Sequence, residues 1–191
     1  MARPNIAFVE SSLADGSFEG KIAREAIAAL GDRVDVTVVD YRDLPLLSDD
    51  NAFPAPDAAL AIRDKFQNAD AVWVFTTEYH HSLPVAVKNL FDWLTSPKAA
   101  EDKSDRTVLE NKPVAITGVG GFKGMFGRIE LGDLLEANGM RVFPVEVGLS
   151  VPETAFETGE WVMTEGDIQA IEMQANDFLT FVNANDDHEE K

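Results

Sequence analysis

The chain has 191 residues, 45% of them hydrophobic, enough for one sizeable core and in keeping with a single domain. Its 34 acidic and 16 basic residues give a net charge of −18, a surface that repels phosphate backbones and anionic lipid and so disfavours nucleic-acid and membrane-surface binding. The absence of cysteine removes disulfides, thiolate nucleophiles and cysteine-ligated metals, so redox chemistry would have to rest on a bound cofactor.

Residues 1–4 lead straight into an apolar run too short for a signal-peptide core, and no run approaches the ~18 apolar residues of a membrane helix. A soluble, cytoplasmic protein is expected. Residues 5–9 read as a strand, and residues 10–17 as a loop before a helix carrying Ile22, Ala23, Ala26, Ile27 and Leu30 and ending at Gly31. A second strand over 34–39 alternates Val34, Val36 and Val38 with polar residues. Residues 41–56, rich in Pro, Asp and Ser, read as a loop, followed by a helix over 57–68 with Ala58, Ile62 and Phe66 on one face. Residues 71–75 have no polar member, the pattern of a strand buried on both faces. A polar corner over 76–83 then leads to Pro84, suited to a first helical turn, and to a helix with Val87, Leu90, Phe91 and Leu94 inward.

Residues 96–111 are charged and read as a surface excursion. A fourth strand over 113–117 runs into "GVGGFKG" and a helix with Ile129, Leu134 and Leu135, closed by Gly139. Residues 140–147 supply a fifth strand, and after an irregular stretch to Met163 a last helix presents Ile168, Ile171, Ala175, Phe178, Leu179 and Val182. Residues 1–183 are thus expected as one domain, with 184–191 as a frayed acidic tail. The acidity also suits a cytosol of very high salt, where charges are screened over ~3 Å at 1 M; an ordinary acidic enzyme is the plainer alternative.

Strands alternating with helices predict an α/β fold with a parallel sheet covered on both faces. Ligands of such sheets bind beyond the carboxyl ends of the strands, which selects the loops at 10–17, 76–83 and 118–123. Ser11, Ser12 and Ser17 precede a helix whose N-terminal N–H groups could take a phosphate, although, taken alone, the loop is better explained as a plain capping turn. Gly118, Gly120 and Gly121 would let bare backbone approach a flat ligand. His80 and His81 do not form a metal site if the chain is extended there, since neighbours then point to opposite sides. No metal ligand set and no catalytic side chain is assigned.

The corner "TEYHHSLPVAVKNLFDWL" resembles that of the NADPH-dependent FMN reductase family, in Glu78, Tyr79, Pro84, Lys88, Asn89, Asp92 and Trp93. Ser12, Leu13, Gly16, Ser17 and Phe18 are similar to that family's phosphate loop, and Thr117, Gly120 and Gly121 to its glycine loop. The resemblance implies a flavodoxin-like fold with a five-stranded parallel sheet in the order 2-1-3-4-5. It implies noncovalent FMN, with phosphate at Ser12, Ser17, Phe18 and Glu19, and the ring against Thr77, Glu78, Tyr79 and His80 on one side and Thr117, Gly120 and Gly121 on the other. NAD(P)H would be co-substrate in a ping-pong hydride transfer to a small acceptor such as a flavin, quinone or azo compound. A homodimer or homotetramer is implied as well. The chain departs from the family pattern at Ser11 for glycine, Ala14 for arginine, Glu19 for asparagine, Thr77 for proline and His80 for asparagine. Two other readings of the same fold are an FMN electron carrier without a nicotinamide site and a flavin-free binding protein.

Overall fold

The structure is a computed structural model that describes residues 3–97 and 107–184. Its first four strands are β1 (Asn5–Glu10), β2 (Asp35–Val38), β3 (Ala71–Thr76) and β4 (Pro113–Gly120). Between and after them run the helices α1 (Phe18–Leu30), α2 (Asp57–Gln67), α3 (Val85–Thr95) and α4 (Met125–Ala137). The chain closes with β5 (Arg141–Val142), β6 (Val147–Ser150), α5 (Glu153–Thr158) and α6 (Glu165–Asn183). All strand pairs are parallel, in the order β2-β1-β3-β4-β5, with β6 also on β4. This is the expected flavodoxin-like topology, with a sixth strand added.

Every residue of β3 and β4 is buried because helices cover both faces of the sheet. On one face α1 and α6 pack against Phe8, Trp73 and Phe75, and Phe178 of α6 meets Trp73 edge-on with ring centres 5.6 Å apart. On the other, Phe66 of α2, Leu90 and Phe91 of α3 and Leu131 and Leu135 of α4 cover Val72, Val74 and Ile116. Among the described residues no helix is long and apolar enough to cross a membrane.

Several elements differ from the sequence reading. Pro84 is the residue before α3, not part of its first turn, with ψ at 137°. Val38 is 51% exposed, because it faces a cavity beside α1 and not the core. A short helix, α5, occupies part of the stretch read as irregular. Leu109, inside the segment read as a surface excursion, is fully buried; residues 98–106 of that segment and the tail from 185 lie outside the described residues.

The fifth strand is broken in two. Val114 pairs with Val142 and Thr117 with Val147, so three steps along β4 match five along the edge and two residues bulge out. Gln174 of α6, only 1% exposed, fills the gap. Its Nε2 donates to the carbonyls of Ile116 and Val145, each at 2.9 Å, and its Oε1 accepts from Thr117 Oγ1 at 2.6 Å. The Thr117 hydroxyl in turn accepts from Trp73 Nε1 at 2.8 Å. A side-chain amide thus replaces ladder bonds that the bulge removes.

Candidate active site

The carboxyl ends of β1, β3 and β4 converge, and Ser11 ties the first two together. Its N–H donates to the Phe75 carbonyl at 2.8 Å, and its Oγ accepts the Thr77 N–H at 3.1 Å and donates to Glu19 at 3.2 Å. Ser11 and Glu19 are both nearly fully buried. Ser17 caps α1 by accepting the Gly20 N–H at 3.0 Å, and its hydroxyl lies 3.5 Å from Glu10 Oε2. Ser12 Oγ accepts the Ala14 N–H at 3.3 Å, which curls the loop. The N–H groups of Leu13, Asp15 and Gly16 make no hydrogen bond among the described residues and remain open to a ligand.

The second loop is a tight hairpin turn. Tyr79 and Ser82 exchange N–H to carbonyl bonds of 2.9 and 3.1 Å, with His80 and His81 between them at φ of 51° and 63°. Two central residues of positive φ define the turn type that ordinarily takes Asn-Gly. The two histidines are therefore not in extended chain, as their reading from sequence supposed. Each left-handed L-residue costs ~1–2 kcal/mol, partly offset here by the His81 ring packing edge-on to Phe126 at 4.7 Å. The double substitution His80→Asn/His81→Gly is expected to raise the unfolding free energy by about 1 kcal/mol, measured by chemical denaturation; a fall would refute the strain.

The loop is held from α4. Glu78 Oε2 accepts the Phe126 N–H at 3.0 Å, and Glu130 accepts from Ser82 Oγ at 2.6 Å and Leu83 N–H at 2.9 Å. The Ser82 and Leu83 bonds hold the Glu130 carboxyl below its ordinary range. Glu78 thus caps α4, while Tyr79 and His80 remain exposed. Of the residues matched in α3, Lys88 and Asp92 form an ion pair one turn apart. Asn89 brackets Leu47 N–H and the Pro45 carbonyl at 2.9 Å each, and Trp93 Nε1 donates to the same carbonyl at 2.7 Å. These two residues are scaffold: they fix the segment between β2 and α2.

The third loop meets the second at Gly120. A Cβ there, at φ 143°, would lie 3.6 Å from Thr77 Oγ1, and Gly121 beside it is open. Thr117 is not part of this opening: its side chain points into the core, committed to Trp73 and Gln174. Phe18 likewise turns its ring inward, 5.5 Å from Phe156 and 5.7 Å from Trp161. The structure therefore places Ser12 on a cavity beside the first loop, Ser17 as the cap of α1 and Thr77 against Gly120, leaves Tyr79 and His80 exposed, and turns the side chains of Phe18, Glu19 and Thr117 inward.

Two residues that sequence reasoning passed over matter here. Gly127 of α4 is where that helix meets the second loop, since a Cβ would lie 2.5 Å from the Thr77 carbonyl oxygen. Its signal was a glycine inside a helical pattern. Glu10 lines the first loop beside Gly20, where a Cβ would lie 2.8 Å from Glu10 Oε2. No ion pair reaches Glu10 or Glu19 among the described residues.

Burial pushes the Glu19 carboxyl above its ordinary 4.5; its own N–H and the Ser11 hydroxyl oppose this, and Glu10 adds to it. Burial, with Glu19 and Glu10 nearby, also drives the Tyr41 phenol far up, so it stays protonated and donates to the Glu10 carbonyl at 2.7 Å. A carboxyl raised in the native state favours the fold below its unfolded pKa of 4.5, and that contribution is lost as pH rises through the folded value. Glu19→Gln is therefore expected to raise the unfolding free energy near neutral pH and to give no such gain below pH 4.5, as urea titrations at the two pH values would show.

A doubly covered parallel sheet whose loops converge at the switch point, with a strained hairpin and bare glycines among them, is a flavodoxin-like architecture. The family model described as NADPH-dependent FMN reductase matches residues 4–152, and the chain belongs to that family. It is similar to a 2-hydroxy-1,4-benzoquinone reductase from a Burkholderia species, 32% identical over 59% of this chain and 58% of the relative. An NAD(P)H-dependent FMN reductase of Pseudomonas aeruginosa is 29% identical over 62% of this chain and 60% of that one. These matches span less than two thirds of either relative. Among solved structures, FerB, a flavoenzyme NAD(P)H:(acceptor) oxidoreductase from Paracoccus denitrificans, superposes with a TM-score of 0.81 at 23% identity, over 95% of this chain and 98% of that one. An archaeal flavodoxin superposes with a TM-score of 0.61 at 16% identity, over 94% and 99%. At these identities the structural likeness speaks for the fold.

Proposed function

We propose that the chain is an FMN-dependent NAD(P)H oxidoreductase that reduces a small quinone. The observation that carries this reading is the approach of the bare backbone of Gly120 to Thr77, with open space at Gly121 and with Tyr79 of the second loop exposed. A flat ring with a polar edge suits such a slot. The first loop suits a phosphate by its donors, namely the open N–H groups of Leu13, Asp15 and Gly16 and the hydroxyls of Ser12 and Ser17. Bound FMN would supply the hydride relay between nicotinamide and acceptor. The residues of the second and third loops would orient the ring, and the exposed rings of Phe122 and Phe126, gathered around His81, offer apolar surface for a planar acceptor. The named quinone reductases among the relatives support that acceptor class.

The test is oxidation of NADH and NADPH by the purified, FMN-supplemented protein with and without a quinone. Quinone-dependent consumption is expected. Flavin binding without any consumption would favour the electron-carrier reading instead, and no flavin binding at all the flavin-free one. Exposed Val85, Met125, Phe126 and Ile129 on α3 and α4 support self-association as a dimer, testable by sedimentation. The net charge of −18 supports adaptation to high salt in a cytoplasmic setting, and a melting temperature indifferent to salt would refute it.

A further inference from the structure

We propose that the positive charge for the flavin phosphate comes from outside the phosphate loop, from Arg24 of α1 and Arg42 of the segment after β2. The inference rests on the flavin reading above and names the residues that would give it phosphate specificity.

The loop itself contributes no cation. Residues 10–19 include no lysine or arginine, while Glu10 and Glu19 bring two carboxylates. A dianionic phosphate placed there needs a local counter-charge, because a net charge of −18 offers none at long range. A cavity of about 290 Å³ opens beside the loop, and its lining holds two cations, Arg24 and Arg42, along with the loop residues Ser12, Ala14 and Gly16 and the carboxylates of Glu10, Asp15 and Asp40. Arg24 follows Gly20 by one helical turn on the same face. Helical side chains lean toward the N-terminus, so its stem lies back over Gly20 toward the loop. Its guanidinium makes no hydrogen bond or ion pair among the described residues.

Arg42 reaches the same cavity from the segment after β2. Nε pairs with Asp40 at 3.0 Å and Nη2 with Asp15 of the loop at 3.5 Å, which leaves Nη1 uncommitted among the described residues. Its segment is anchored by the Tyr41 hydroxyl on the Glu10 carbonyl and by Asn89 and Trp93 on Pro45. Glu10 lines the cavity as well, so the arginines also offset that carboxylate. Guanidinium groups match phosphate oxygens in pairs, which a diffuse positive field does not.

FMN and riboflavin differ only in the phosphate, so their dissociation constants, read from flavin fluorescence, isolate this contribution without turnover. Arg24→Gln and Arg42→Gln are each expected to weaken FMN about tenfold and the pair by more, with riboflavin unchanged. In the wild type, the preference for FMN over riboflavin should shrink as salt rises. Equal losses for both flavins, or none for either, would overturn the inference while leaving the flavin reading intact. A wild type that binds neither flavin would overturn both. Arg24 is exposed and unpartnered, so its variant should keep the wild-type melting temperature, and a large drop there would show a structural role instead.

Discussion

Gln174→Leu is expected to lower the unfolding free energy by about 3 kcal/mol or more. The substitution conserves volume approximately, so the loss is of hydrogen bonding. The Ile116 carbonyl and the Thr117 hydroxyl each lose a partner in the buried core, and the Val145 carbonyl loses one at the half-exposed edge. A buried polar group left unpaired costs about 1–3 kcal/mol, and two are affected. For a chain of this size the melting temperature should fall on the order of 10 °C. Thr117→Val should cost less, since it strands only Gln174 Oε1 and Trp73 Nε1. Because the two residues share one network, the double substitution should cost less than the sum of the singles. Independent, additive effects would show that the network is not a unit.

Gly127→Ala is expected to have the larger effect on the opening. Its new Cβ would lie 2.5 Å from the Thr77 oxygen and 3.4 Å from Glu78 Cα, both backbone atoms, so either α4 or the second loop must move. Overpacking of this kind costs about 1–3 kcal/mol, and the same shift displaces Thr77 from Gly120 across the slot. FMN affinity should therefore weaken about tenfold or more, measured by fluorescence. Gly132→Ala on the same helix is the matched control. Its nearest atoms would be 3.7 and 3.9 Å away, so the better helix former should stabilise by about 0.5–1 kcal/mol and leave flavin binding alone. Equal behaviour of the two variants would remove Gly127 from the site.

Much of this architecture is legible in the residues. Residues 71–75 of β3 lack a polar member, and β1 and β4 are apolar through Ile6–Val9 and Val114–Ile116, because both faces of the sheet are covered, and the helices α1, α3 and α6 show their inward stripes plainly. The corner after β3 was identifiable because so many residue types stand at fixed offsets. What escaped was decided by partners distant in sequence. Thr117 follows the alternation of β4 onto the face covered by α6, 57 residues away, which no local pattern announces. Gln174 sits on the apolar stripe of α6 beside Ile171 and Ala175, a polar residue where a hydrophobic one belongs, and only its two carbonyl partners explain it. The break at Pro144 carried a local warning, since proline inside an apolar run argues for an edge strand. The histidine turn was misread because Asn-Gly, not His-His, is the usual signature of that geometry.

The broken strand also bears on how the molecules behave when crowded. An uninterrupted outer strand beside β4 would present a straight row of free N–H and carbonyl groups, a template for another chain to pair with. Here β5 is two residues long, the register slips by a bulge before β6 begins, and Pro144 between them has no N–H to offer. A second molecule would find no continuous ladder to extend. Where salt screens the mutual repulsion of acidic surfaces, this defect remains as a guard against aggregation, because it is a property of backbone shape and not of charge.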